Sequence, residues 1–202
     1  MVRYKGNLFK LCSWDDIYRI LESDNIVLEI GSGNGVFLEY LGRKFVNSTV
    51  VGIEIDVKRA KKCKKKIEKG NLSNTFIICG DAFEILPMFF RDCSVYRVYM
   101  NFPEPWPRES CWRNRVFEIG FMSLIDRVVK TTGLFFLVTD VKNVFLTVND
   151  LLTSVLGNWV FREDFSEDYR RNFVPTLYFD KWLSENREFW WGVWEKKKLI
   201  SF

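Results

Sequence analysis

The chain has 202 residues, 48% hydrophobic and 28% charged, enough for one compact domain with a real core and too few for two. Histidine is absent, which excludes Ser-His-Asp and Cys-His catalysis and every His-ligated metal site. Five widely spaced cysteines (Cys12, Cys63, Cys79, Cys93, Cys111) form no CxxC pair. They read as free thiols of a reducing compartment, so no metal is expected. The first residues show no secretory pattern and no apolar run is long enough for a bilayer; the expectation is a cytoplasmic protein without membrane contact. Chemistry must then rest on carboxylates, backbone amides, Lys/Arg or a cofactor that brings its own reactivity.

In chain order, residues 1–24 read as an N-terminal helix or arm on a catalytic core over 25–202. From residue 26 the pattern alternates strand and helix, predicting an α/β, doubly wound, mostly parallel sheet. Ile26–Ile30 is a short apolar strand running into the turn Glu29-Ile-Gly31-Ser-Gly33-Asn-Gly35, and Val36–Phe45 continues as a helix. Thr49–Ile55 is the second strand. The next helix, residues 57–69, has a thin apolar stripe of Val57, Ala60, Cys63 and Ile67 among eight basic side chains. Thr75–Cys79, Val95–Met100 and Leu134–Thr139 are further strands, with a helix over roughly 114–130 before the last. Phe145–Leu156 reads as helix, Trp159–Phe161 as a short extended piece, 162–175 as a loop and Asp180–Arg187 as a short helix. Phe189–Glu195 is predicted to close the sheet, as an antiparallel strand.

The glycines Gly31, Gly33 and Gly35 let the backbone approach a ligand and aim helix N-terminal amides at it. Their GxGxG spacing differs from the GxGxxG of dinucleotide sites, which disfavours a nicotinamide enzyme. Glu29 is placed to meet a positive group such as an α-amine. Glu54 closes the second strand, where a carboxylate accepts ribose hydroxyls. Asp81, followed by Ala82, closes the third and is placed for an adenine amino group. Three carboxylates at successive strand ends beside a Gly-rich turn resemble the class I S-adenosylmethionine-dependent methyltransferases, a Rossmann-like fold, and the resemblance implies S-adenosyl-L-methionine as cofactor.

After the fourth strand comes Asn101-Phe-Pro-Glu104-Pro-Trp106-Pro-Arg108, a loop stiffened by three prolines, then the basic-aromatic Cys111-Trp-Arg113-Asn-Arg115. With this loop the sequence resembles the tRNA (guanine-N7-)-methyltransferase family, over residues 26 to about 194. The resemblance implies methylation of guanine N7 in tRNA. It implies donor contacts at Glu29, Glu54, Asp81 and Asn101, a catalytic and cofactor-contacting role for Glu104, and tRNA contacts at Arg108, Arg113, Arg115 and Asp140. The segment Pro175-Thr176-Leu-Tyr178-Phe179-Asp180-Lys181-Trp182 resembles the family's substrate segment, implying roles for Thr176, Tyr178 and Asp180. Glu104 stands where the family has Asp, and Phe179 where it has Glu. Two other readings stay open: a methyltransferase acting on another RNA or protein, and a catalytically degenerate RNA-binding subunit. The expected assembly is a monomer or homodimer, with a partner subunit left open.

Overall fold

The structure is a computed structural model that describes residues 11–103 and 118–198. Its centre is a seven-stranded sheet. The strands are β1 (Ile26–Ile30), β2 (Thr49–Glu54), β3 (Thr75–Cys79), β4 (Val95–Asn101), β5 (Val129–Thr139), β6 (Trp159–Phe161) and β7 (Trp190–Lys196). They lie in the order β3-β2-β1-β4-β5-β7-β6. The pairs from β3 to β5 are parallel, whereas β7 runs antiparallel to both β5 and β6. β7 is therefore the one reversed strand of the seven, as the sequence predicted. The strand order reverses between β1 and β4, which places the Gly-rich turn after β1 at the switch point of the sheet.

The helices are α1 (Trp14–Glu22), α2 (Val36–Lys44), α3 (Val57–Lys69), α4 (Ala82–Phe89), α5 (Ile119–Val128), α6 (Lys142–Asp150), α7 (Glu163–Arg171) and α8 (Leu177–Ser184). Strand alternation sends residues to two core layers. Leu28, Ile53, Ile78, Met100 and Phe135 join α1, α4, α5 and α6 on one face, with Trp194 fully buried among them. Val27, Val50, Ile77, Tyr99 and Phe136 meet α2, α3 and Tyr169 of α7 on the other. By the same alternation Glu29, Glu54 and Asn101 lie on that second face, two residues beyond Val27, Gly52 and Tyr99 respectively.

Several sequence expectations need correction. The stretch 162–175, read as a loop, contains α7: its polar residues are the outer face of a helix whose buried residues are Ser166 and Tyr169. No helix was expected over 82–89, yet α4 forms there behind Asp81, which accepts the Phe83 N–H at 2.9 Å as an N-cap. Pro87 hid it, because proline inside eight residues reads as a breaker. The helix expected over 114–130 ends at Val128, and β5 begins at Val129 rather than Leu134. The helix expected from Phe145 begins at Lys142, and its last turn, Leu151–Val155, widens to π geometry. The short helix near 180 begins earlier, at Leu177.

Candidate active site

The Gly-rich turn is held by α3 on one side and by Glu54 on another. Gly31, Gly33 and Gly35 all have positive φ (81°, 55° and 78°), the region where L side chains are strained. A Cβ on Gly35 would lie 2.9 Å from the Cys63 Cα, so α3 packs directly on the turn. The Cys63 thiol points at the Gly33 carbonyl at 3.3 Å, and burial pushes its pKa up to about 12, so it serves as a neutral clamp. Around Gly31 and Gly33, by contrast, a Cβ would meet nothing within 4 Å. The turn thus leaves open space on its ligand side and leads straight into the N-terminus of α2.

Glu54 is 3% exposed and ties this arrangement together. Its Oε2 accepts the Gly33 N–H at 2.7 Å and its Oε1 the Asp56 N–H at 2.9 Å. The residue expected to meet a ribose therefore also shapes the turn. Each carboxylate oxygen retains acceptor capacity beyond these bonds.

Glu29 differs. It is 2% exposed, and its Oε2 has no hydrogen-bond partner among the described residues. Burial pushes its pKa up to about 8, with the Ser32 hydroxyl opposing and the Glu54 charge adding to the shift. On the neighbouring strand, Asn101 presents a second orphan, since its Nδ2 is buried and unpartnered among the described residues. Its Oδ1 accepts from the Tyr169 hydroxyl on α7. Tyr169 is buried against Tyr99, Phe136, Phe173 and Trp191. Burial, with the fields of Tyr99 and Glu29, holds its hydroxyl protonated. One unpaired acceptor and one unpaired donor thus sit on adjacent strands beside the glycine turn. Buried polar atoms are rarely left unpaired. Arg97 Nε and Asn158 Oδ1 are also unpartnered among the described residues, but only the Glu29 and Asn101 atoms lie beside the open glycine turn, where a ligand can complete them.

Asp81 follows β3 and caps α4 with Oδ1; Ala82 opens that helix. Two apolar side chains beside these carboxylates, Ile55 (58% exposed) and Phe83 (48%), stand at the same end of the sheet, and sequence reasoning did not single them out. Tyr169 and Cys63 were also missed as site residues. The first lay in a presumed loop, and the second read simply as part of the buried stripe of α3.

The substrate side is partly described. Glu104, Arg108, Arg113 and Arg115 lie outside the described residues. Asp140, following β5, pairs with Arg187 at 2.5 Å, and the Arg187 guanidinium lies 3.7 Å above the Trp182 ring centroid. Thr176 caps α8 by accepting the Phe179 N–H at 3.3 Å. Tyr178 belongs to the backbone of α8 and its side chain lies outside the described part, while Asp180 is exposed in the first turn. Phe179 packs among Phe102, Phe173, Phe189 and Trp191, so the position where the family has Glu is an aromatic packing site here. The structure brings Glu29, the three glycines, Glu54 and Asn101 together at one strand-end cluster, with Asp81 at the neighbouring strand end. Asp140, Thr176 and Asp180 lie on separate elements that follow β5.

Comparison with known proteins agrees with this geometry. A tRNA (guanine-N(7)-)-methyltransferase of Thermotoga maritima is 32% identical over 175 residues, covering 87% of this chain and 54% of the relative. The chain thus spans about half the length of that relative. Enzymes of the same name from Chlamydia felis and Clostridioides difficile are 27% and 28% identical, over 96% and 91% of this chain and 85% and 92% of theirs. Among solved structures, the 16S rRNA methyltransferase KamB superposes with a TM-score of 0.66 at 17% identity, over 92% of this chain and 94% of its own. An antibiotic-related methyltransferase gives 0.61 at 17% identity, over 96% and 99%. Both show a shared fold. The family described as "Putative methyltransferase" matches residues 23–191, most of the chain including every strand-end carboxylate above, and the protein belongs to that methyltransferase family.

Proposed function

We propose that the protein transfers a methyl group from S-adenosyl-L-methionine to N7 of a guanine in tRNA. The observation that carries the reading is the pair of buried orphans, Glu29 Oε2 and Asn101 Nδ2, flanking an open glycine turn from whose neighbouring strand the proline-rich loop departs. The curated relatives named as tRNA (guanine-N(7)-)-methyltransferases support the substrate.

The donor set fits S-adenosylmethionine. Glu29 offers a carboxyl to an ammonium group, and Asn101 a donor to a carboxylate or carbonyl. The space at Gly31 and Gly33 admits a close ligand. Glu54 and Asp81 keep acceptor capacity for ribose hydroxyls and an adenine amine, and Ile55 and Phe83 offer apolar surface to a base. When bound, this cofactor supplies an electrophilic methyl carried on a sulfonium with its own leaving group.

The protein's part is positioning. Guanine N7 carries an in-plane lone pair and no proton, so no general base is required before attack, which suits a chain without histidine. Holding nucleophile and electrophile in line supplies much of the acceleration. Methylation leaves the purine cationic. Carboxylates facing the ring, with Glu104 the first candidate and Asp140 and Asp180 next, would stabilise that charge and accept from the guanine N1–H and amine. Arg108, Arg113 and Arg115 would hold phosphates.

The test is transfer of tritiated methyl onto bulk unmodified tRNA, followed by nucleoside analysis. The label is expected in 7-methylguanosine. Label in another nucleoside or in protein would reassign the substrate, and no transfer at all, with the cofactor bound, would favour the degenerate RNA-binding reading.

A further inference from the structure

Helix α3 carries a charge distribution that neither its fold role nor donor binding uses. Its 13 residues hold Lys58, Arg59, Lys61, Lys62, Lys64, Lys65, Lys66 and Lys69 against Glu68 alone, eight minus one, a net +7. The whole chain is +4, so everything outside this helix sums to −3 (4 minus 7). The protein's positive charge is thus the property of one element.

The arrangement on the helix is as uneven as the count. At 3.6 residues per turn, Lys58, Lys61, Lys62, Lys65 and Lys69 fall within a sector of about 100°. All five are exposed. The buried Ala60, Cys63 and Ile67 lie diametrically opposite. Arg59 and Lys66 flank the stripe on one side and Lys64 on the other. The single acid, Glu68, sits outside it and reaches Lys64 at 4.0 Å.

A helix face that only needs solvation interleaves signs. α7 does so, with Glu163, Asp164, Glu167 and Asp168 ahead of Arg170 and Arg171 and an Arg171–Glu167 pair at 3.0 Å. The α3 stripe instead stacks like charges at i, i+3 and i+4, a repulsion that an isolated helix pays without return. A polyanion laid along the stripe removes that repulsion.

Position completes the argument. α3 begins three residues after Glu54, at the ligand end of the sheet, and its inner face clamps the Gly turn through Cys63. The stripe therefore starts at the rim of the candidate active site. It runs about 20 Å along the helix away from it.

We infer that the Lys58–Lys69 stripe of α3 is a docking surface for the phosphate backbone of the RNA substrate, holding the part of the molecule that lies beyond the methylated base. The inference rests on the tRNA reading above and adds to it the surface that supplies most of the electrostatic affinity.

The test measures binding of bulk unmodified tRNA by fluorescence anisotropy across a potassium chloride series. It uses wild type, Lys62→Gln/Lys65→Gln, and a control pair off the helix, Lys197→Gln/Lys198→Gln. Each phosphate contact contributes roughly 0.7–0.9 to the slope of log affinity against log salt. The stripe pair is expected to flatten the slope by about 1.4–1.8 and to weaken binding roughly ten-fold or more at 0.15 M salt, while the control changes little. Binding of S-adenosylhomocysteine by calorimetry should stay within two-fold of wild type. Should the first pair disturb the helix, Lys58→Gln/Lys69→Gln repeats the measurement on the same stripe. Slopes unchanged in both stripe pairs, with wild type still methylating tRNA, would overturn the docking surface and leave the enzymatic reading standing. Equal flattening by the control pair would also overturn it, showing diffuse attraction. If wild type neither binds nor methylates tRNA, both fall together. Stripe-dependent binding to phosphatidylserine vesicles, with no stripe effect on tRNA, would reassign the surface to a membrane.

Discussion

Glu29 is the residue whose environment says most about the site. It loses hydration inside the second core layer and receives no compensating partner at Oε2, so it holds its proton to about pH 8. Between its ordinary pKa of 4.5 and that value the folded protein binds more protons than the unfolded chain. Stability of the unliganded protein should therefore fall as pH rises across this window and level off above it. Glu29→Gln should remove that slope and leave the protein as stable or more so near neutrality, as denaturant titrations at pH 5 and pH 8 would show. Affinity should run the other way. An ammonium group pairs best with the ionised carboxyl, so S-adenosylhomocysteine should bind wild type more tightly at pH 8 than at pH 6. Glu29→Gln should bind it more weakly with little pH dependence. A wild-type affinity flat across that range would remove Glu29 from ammonium recognition. Tyr169 acts through its neighbour: by donating to Asn101 Oδ1 it fixes which way the amide faces and so where the Nδ2 donor lies. Tyr169→Phe keeps the ring packing but frees the amide to flip. A hydrogen bond of about 0.5–1.5 kcal/mol is lost from the fold itself, so the Tm should fall by roughly 1–6 °C. The freed amide should also weaken the cofactor about two- to ten-fold in calorimetry.

At the scale of elements, β1, β2, β3 and the later part of β5 were legible because each is a short, mostly apolar run closed by a glycine or a carboxylate. Glu29, Glu54 and Asp81 could be read as strand-end groups from position alone. Three features were not legible. α7 buries Ser166 and Tyr169 on one side, too few apolar residues to raise a helical period above its charged majority. With α7 unread, the support of Asn101 was invisible. α4 is eight residues with Pro87 inside, and its existence rests on the Asp81 cap and on burial of Ile85, Leu86 and Phe89. The part Glu54 takes in shaping the turn depends on a contact across 21 residues that no local pattern encodes. The contact of α3 with the turn is testable on Gly35. A methyl there would be held at φ 78° and would press on the Cys63 backbone, which cannot yield as a side-chain tip could. Left-handed strain and overpacking together should cost about 2–5 kcal/mol in Gly35→Ala. That corresponds to a fall of roughly 5–15 °C in Tm by calorimetric scan. A shift below about 2 °C would mean that α3 moves freely relative to the turn.

Across the whole molecule, the sheet separates the proposed ligand end from an anchoring end. The strand-end carboxylates and the unpartnered atoms of Glu29 and Asn101 gather where β1, β2 and β4 end. At the opposite ends of β4 and β5 a polar knot fastens the paired strands β6 and β7 to α5. Asp126 Oδ1 accepts from Asn158 Nδ2 at 2.8 Å and from Trp159 Nε1 at 2.9 Å. Lys196 is 8% exposed, lies 3.3 Å from the same carboxylate and donates to the Asp126 and Val129 carbonyls. Asp126 is partly buried, with a quarter of its side chain exposed, so its loss should cost less than the roughly 3–5 kcal/mol of a fully buried pair, while also stranding the Asn158 and Trp159 donors. Asp126→Ala should therefore lower the urea midpoint. At a temperature where the variant is still folded, its affinity for S-adenosylhomocysteine should match wild type, since no atom of the knot approaches the Gly turn. Glu29→Gln is expected to show the reverse, with binding weakened and stability kept or raised. This crossed pair of outcomes is what a fold with one end given to ligand binding and the other to anchoring requires. If Asp126→Ala lost cofactor affinity in proportion to stability, the two ends would be one cooperative unit, and the orphan groups at Glu29 and Asn101 would owe their geometry to the packing of the far β6–β7 pair rather than to β1, β4 and α7.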